Sequence, residues 1–553
     1  MKRIYIALIF TIAFLSLQAQ SGNSNYQREV TVEKEYTPTL LDADKLNEVP
    51  EVKSPEVPKT VAEYSNYTLD TPVVPNYQAI KAPAYFSDFA TSKKRGYLDL
   101  GLGTFFNLDG DAGYQILRSE QTQWNVFASH RSSNGKVTYL QKSKYLPNYK
   151  STTMKFNDNL LGSDFTTQLE KLKLSADMQY VYSGFNDYGF LVSSNKSMQD
   201  QENQRFKVHA GMESLKNDKL TFKANLAYTL FTHKRPIEWP TGKENRVMAD
   251  VDVFTKWFGV ALASKTYQYQ MPNTSLVPSL YYGYVDYNTL SLKPYVQWDG
   301  AMWDAKLGVI LDWQTGGIKD FLLAPNVRFN WRPADNFLLS ITATGGIQDN
   351  SNYNTHLENR YINPNYRVND SKTLYDATLG LSFSPITNLN VSLFGGYAGM
   401  QDEHFYTLLP MLPEYDDATL LKLGGKVQYD YQGFWDFKVD LQYNRWEVTD
   451  LPAAWHKPAL LGNVNFGINI PNLPLRCDLN YHLEAGREAW NVLSSKKHTI
   501  EDIHDLSLRA NYTLNSTVSF FAKANNLLFQ KYDIYYGYPA QNFNIIVGAG
   551  IKF

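Results

Sequence analysis

From Lys93 to the end of the chain, apolar and polar residues take turns with a period of two. In the stretch FWDFKVDLQYN, Trp435, Phe437, Val439, Leu441 and Tyr443 are apolar, while Asp436, Lys438, Asp440, Gln442 and Asn444 between them are charged or amide. Successive side chains of a β-strand point to opposite faces, so such a segment has one oily wall and one wet wall. The same alternation marks 172–182, 220–228, 475–483 and 506–512. By this criterion the chain holds about 22 candidate strands. They begin near residues 95, 109, 122, 152, 171, 204, 219, 246, 257, 287, 301, 320, 336, 372, 387, 418, 434, 456, 473, 502, 516 and 541.

Which wall faces inward is decided by the connections. Every second one is a tight turn, as in LKNDKL, TKWF, WDGAMW, WRPADN, SPITN, YQGFW, IPNLP and TLNST. Those between are mostly long and polar, such as 135–150, 186–203, 349–371, 401–417 and 487–501. A soluble sandwich has no reason to sort its loops by parity, whereas outer-membrane barrels combine short periplasmic turns with long external loops. The expected fold is therefore all-β: a transmembrane antiparallel β-barrel of about 22 strands, with the oily wall toward lipid and the wet wall toward the lumen. On that assignment Asp436, Lys438, Asp440, Arg476 and Asp478 face the lumen, joined by Lys426, Glu484 and Arg509. Such mixed charge hydrates a channel wall or ties it to whatever fills the bore, and names no solute.

Composition agrees with this picture. The mean hydropathy of −0.39 looks soluble, but a barrel strand keeps half its residues wet, which dilutes the index. The 39 Tyr, 30 Phe and 11 Trp suit aromatic girdles at two membrane interfaces. A formal net charge of −2 and the lack of any Lys/Arg cluster argue against a nucleic-acid partner.

The start of the chain supplies a compartment. Met1-Lys2-Arg3 is a basic lead, residues 4–17 are almost uninterruptedly apolar, and Gln18-Ala19-Gln20 follows, which is the layout of a cleaved secretory signal over 1–20. Residues 21–92 are acidic and carry Pro38, Pro50, Pro55, Pro58, Pro72, Pro75 and Pro83, which predicts an extended periplasmic arm ahead of a barrel over 93–553. Cys477 is the only cysteine, so no internal disulfide can form.

The chain ends NNLLFQKYDIYYGYPAQNFNIIVGAGIKF, with Phe543, Ile545, Val547, Ala549, Ile551 and Phe553 on one wall of the last strand. That ending, with Asn526-Leu527-Leu528, YGYPA at 536–540 and a terminal aromatic, resembles the C-terminus of TonB-dependent receptors, most closely barrel-only members of the Bacteroidetes type. The resemblance implies outer-membrane location, transport or reception of a solute, and a terminal Phe553 read by the barrel-insertion machinery. Such receptors carry a globular plug ahead of the barrel, and the Pro-rich arm lacks the apolar content for one. Three fillers for the bore stay open: inward-folded external loops, the arm itself, or a partner protein. Within the arm, Val30-Thr31-Val32 resembles the short motif by which such receptors pair with TonB through strand addition, but so short a match arises by chance, and a strand packed on the barrel mouth or on a periplasmic protein is the preferred reading.

No catalytic motif is present: no phosphate loop, G-x-S-x-G elbow or H-E-x-x-H. His498 and His504 match no zinc spacing, and NLDGDAG at 107–113 lacks the distal Glu of a calcium loop while its Asp-Gly suits a hairpin turn. Trp239, between Pro236 and Pro240, is a stacking platform or a loop anchor. No enzyme, metal site or cofactor is expected. The expected partners are outer-membrane lipid, the insertion machinery and one of a surface lipoprotein, TonB or a periplasmic protein. Two functions remain open: solute transport or reception through a gated or occluded lumen, and a non-conducting subunit that docks a lipoprotein or an envelope assembly machine. In both, the arm and C-terminus are periplasmic and the long loops extracellular.

Overall fold

The computed structural model describes residues 94–140, 150–190, 200–215, 220–234, 242–271, 283–407, 412–491 and 496–553. The segments 1–20 and 21–92, with Val30, Thr31 and Val32, lie outside the described residues, as does Trp239.

Twenty-two strands pair in sequence order, each antiparallel to the next, and the first, Gly96–Gly103, pairs with the last, Asn544–Lys552. The register across that closure runs from Tyr97 opposite Lys552 to Gly103 opposite Ile546. Closure leaves no open edge in the sheet, the condition for strands whose outer surface is apolar. Gly548 lets the seam close, since a Cβ there would stand 2.3 Å from the Leu100 carbonyl oxygen.

Every strand begins close to its expected start. The furthest off is the one expected near 418, which begins at Pro413. Its added residues pair with the end of Leu389–Tyr406, His404 opposite Tyr415 and Tyr406 opposite Pro413. Hydrophobic alternation misses this extension because it lies where the strands no longer have an apolar outer face. The tight turns have local causes. In YQGF, Gln432 and Gly433 both take positive φ, 50° and 71°, the geometry of a two-residue hairpin whose twist matches the strands.

The two walls separate as alternation requires. Leu441 and Tyr443 are each 45% exposed on the outer face, while Asn444 is 3% exposed on the inner one. On the closing strand Ile545, Val547, Ile551 and Phe553 are exposed and Ile546 is buried. Exposed rings form two bands: Trp124, Trp257, Trp303 and Trp331 at the tight-turn end, and Tyr228, Trp313, Phe321, Tyr375 and Tyr397 nearer the long-loop end. This is the aromatic-belted outer surface of a membrane barrel. Three small elements sit in the long connections: the helix Asn352–Glu358, the hairpin of Glu488–Asn491 with Lys496–Thr499, and the hairpin of Asp533–Tyr535 with Tyr538–Pro539.

Candidate functional site: a layer across the bore

The connection 348–371 joins Phe337–Ile347 to Lys372–Phe383 and does not leave the barrel. Its sequence carries Asn350, Asn352, Asn354, Asn359, Asn363 and Asn365, residues whose side chains bond nearby backbone and stabilise turns. Asn359 accepts from the Tyr361 amide and Asn363 from the Asn365 amide, each at 3.0 Å. Ser351 caps the short helix, accepting from the Asn354 amide. The loop thus holds its shape with local bonds and can carry its remaining side chains to the wall.

Those side chains reach strands on both sides of the bore. Arg246 donates through Nη1 to Asp349 at 2.7 Å and to Ser351 at 3.1 Å, and Glu244 accepts from the Asn352 amide at 2.7 Å. Arg205 donates to the Tyr353 hydroxyl. Arg360 meets Asp158 at 3.0 Å. Arg367, its side chain wholly buried, donates to Asp370 at 2.9 Å and to the Tyr287 hydroxyl at 2.5 Å. On the opposite wall Glu358 accepts from His404 at 2.8 Å and from the Tyr406 hydroxyl at 3.1 Å. A loop that touches Asp158, Arg246, Tyr287 and His404 spans the lumen.

Two further connections complete the layer. Lys457 lies 3.6 Å from Glu358 and 3.4 Å from Glu403, and His456 bonds the Tyr406 carbonyl through Nδ1 at 3.0 Å. In the C-terminal connection the Tyr535 hydroxyl donates to the Glu358 carbonyl at 2.7 Å, and the Tyr538 hydroxyl donates to Asp187 at 2.9 Å. The YGYPA segment is thereby buried within the layer, with Tyr536 and Tyr538 almost inaccessible. Arg487 pins the same hairpin by donating to the carbonyls of Ile534 and Asp533, at 2.8 and 3.0 Å.

The electrostatics follow from burial against charge. Burial pushes the Glu358 carboxyl up, but His404, Lys457 and the Tyr406 hydroxyl outweigh it and hold the group at about 2. Burial drives His456 down to about 3, and the Arg487 charge pushes the same way.

The residues singled out from the sequence sit elsewhere. Arg476 donates to both oxygens of Asp436, at 2.7 and 2.8 Å, and to Asp478 at 2.8 Å, forming a cluster near the tight-turn end. Asp440 pairs instead with Lys426 at 2.9 Å, and Lys438 is exposed. None of the five contacts the layer. The Phe553 carbonyl accepts from the amides of Arg95 and Gly96, each at 2.8 Å, and its ring stacks on Tyr114. The hairpin turn expected at Asp109-Gly110 is corrected. The chain turns at 104–107, and Asp109 and Asp111 lie within Leu108–Arg118, where Lys523 and Arg131 neutralise them at 2.7 and 2.5 Å. His504 bonds the Tyr481 hydroxyl at 2.8 Å and His498 packs on Tyr536, so the two histidines do not converge. Among the described residues no group of three His, Cys, Asp or Glu is placed to hold a metal.

Inward-folded external loops are one of the three fillers left open by the sequence, but the connection that does the filling and the residues that hold it are not singled out there. The available signal was composition: the connection carries Tyr353, Leu357, Tyr361, Ile362 and Val368, more apolar weight than a solvated loop needs.

No protein-family model and no curated protein matches the chain. Among solved structures it is similar to the ferripyoverdine receptor of the outer membrane of Pseudomonas aeruginosa, at 13% identity and TM-score 0.60, covering 84% of this chain and 72% of that one. The FrpB iron transporter from Neisseria meningitidis is similar at 8% identity and TM-score 0.63, with 84% and 82% covered. The copper transporter OprC is similar at 12% identity and TM-score 0.60, with 83% and 80% covered. The likeness is one of fold: the chain shares the closed antiparallel β-barrel of these receptors and transporters.

Proposed function

We propose that the chain is an outer-membrane barrel that receives or passes a solute through a lumen occluded by its own connections. The observation that carries this reading is the layer itself. A polar bore is retained along the wall, yet it is crossed by loop 348–371, which is held by side-chain contacts that can open without breaking the barrel ladder. The resemblance to receptors and transporters supports the same reading. The long loops and the layer then face outward from the cell, and the tight turns, the arm and the C-terminus face the periplasm. The cluster of Asp436, Arg476 and Asp478, with Lys438 and Asp440, lines the periplasmic half of the lumen. Phe553 serves the insertion machinery, and Val30-Thr31-Val32 offers a strand to TonB or another periplasmic protein.

A second reading is a non-conducting subunit that docks a lipoprotein or an envelope assembly machine. What favours it is the rigidity of the layer, in which the side chains of Arg367 and Arg487 are wholly buried.

Planar-bilayer recording separates the two. A lumen occluded by the layer predicts a silent full chain, a silent chain lacking residues 21–92, and current once 350–369 is replaced by a short Gly-Ser link. Silence in that variant as well, with stoichiometric copurification of another envelope protein, overturns passage and favours the scaffold.

A further inference from the structure

Beneath the layer the wall of the bore is hollowed. A cavity of about 430 Å³ lies against the inner face of three neighbouring strands, Asp200–Ser214, Thr221–Lys234 and Gly242–Phe254. At about 30 Å³ per water, that is room for roughly fourteen waters or one small solute. The hollow has a sequence cause. Cross-strand register sets Thr229 between Lys207 and Arg246, and Ala227 between His209 and Met248. Two short side chains between long ones leave a trough.

Charge is graded along the trough. Its upper row, next to the layer, holds two cations, Lys207 and Arg246. Arg246 lines the hollow while giving Nη1 to Asp349 and Ser351, and its Nε is buried out of a solute's reach. The carboxylate near Lys207 is Asp177, 3.6 Å away and already bound to His209 at 2.7 Å. The lower row holds Asn225 and Asp250, and Asp250 takes a hydrogen bond from Asn225 Nδ2 at 2.8 Å. Arg246 and Asp250 are four positions apart on one strand, roughly 13 Å between Cα atoms. A free amino acid is too short to address both ends. An extended peptide of about three residues spans roughly 10 Å and fits between the side chains.

We propose that this trough binds a short peptide with free termini, its carboxylate toward Lys207 and Arg246 and its ammonium toward Asp250. This assigns a solute class to the lumen and rests on the passage reading.

The test is calorimetric titration of the full-length protein in detergent with tri-alanine, N-acetyl-tri-alanine and tri-alanine amide. Tri-alanine is expected to bind at least about tenfold more tightly than either capped form, the ratio that one lost charge contact gives. Asp250→Asn should lower tri-alanine to the level of the acetylated form while keeping the preference for a free carboxylate. Lys207→Gln should weaken the carboxylate preference and keep the amine preference. Equal binding of the three probes, or no binding, by wild-type protein that keeps heat-modifiable gel mobility overturns the proposal. Tri-alanine binding by a barrel that passes no current even with 350–369 replaced leaves the trough standing and removes passage. Current from that replacement without tri-alanine binding does the reverse.

Discussion

Tyr361 and Tyr538 stack with ring centroids 4.4 Å apart and planes 24° from parallel. Residue 361 belongs to the loop that crosses the bore and residue 538 to the last connection, so the stack fastens two segments far apart in the chain. Tyr188, wholly buried, meets both rings edge-on at 5.5 and 5.6 Å. Truncating a buried aromatic costs about 3–5 kcal/mol, and ring pairing contributes about 0.5–1.5 kcal/mol beyond area. A double-mutant cycle of Tyr361→Ala and Tyr538→Ala, read by hydrogen exchange over 352–370, should return a coupling of that second size. Strict additivity would show that the rings are merely neighbours.

The two arginine clusters should respond very differently to the same substitution. Arg367→Met strands Asp370, whose side chain is 4% exposed, and breaking one side of a buried pair costs about 3–5 kcal/mol. Arg476→Met removes a fork from Asp436 and Asp478, but the Arg476 and Asp436 side chains are 32% and 38% exposed, and pairs in contact with water contribute about 0–1 kcal/mol. Guanidinium unfolding from lipid vesicles, or loosening of the layer by hydrogen exchange, should rank Arg367→Met as much the more damaging. Equal effects would mean that the Arg476 cluster is drier than its exposure indicates.

How much of this could be read in the sequence depends on what repeats. Strand positions, closure and the outward wall come from period two and loop parity, which every membrane barrel must obey because an unpaired backbone cannot face hydrocarbon. The layer obeys no such rule. Loop 348–371 looks like any long polar connection, and nothing local says that Glu358 will find His404 two strands on, or that Arg360 will find Asp158, which only closure of the sheet brings across the bore. The trough is hidden for the same reason: Ala227 is unremarkable until register places it between His209 and Met248. Conversely the tidy alternation around Asp436 drew attention to charges that do not touch the layer.

The outer wall yields a paired test. Leu441 is 45% exposed in the middle of Trp435–Val448, while the neighbouring Gln442 points the other way and donates to Asn444 at 2.8 Å. An arginine on the lipid face near the midplane costs about 2–4 kcal/mol, and one facing a wet bore costs little. Leu441→Arg should reduce the yield of folded, heat-modifiable barrel, and Gln442→Arg should leave it near wild type. Similar yields for the two variants would contradict the assignment of faces.

Acid should loosen the layer in two stages. His456 is held at about 3 in the closed layer against an ordinary value of 6.5, so once released it binds a proton that the closed form refuses. The closed form is therefore fully favoured above about pH 6.5 and loses about 1.4 kcal/mol for each unit below it, until about pH 3. Glu358, held at about 2 against 4.5, adds its own loss only as the pH falls below 4.5. At the 452–459 connection, which carries His456, the slope between pH 6.5 and 4.5 should thus belong to that residue. His456 has a φ of 61°, which asparagine tolerates, so His456→Asn is the variant of choice. Hydrogen exchange over 452–459 should accelerate as the pH falls from 6.5 to 4.5 in wild type, after correction for the intrinsic rate. The variant should stay flat over that range and respond only below it. An unchanged slope in His456→Asn would assign the acid sensitivity to another group.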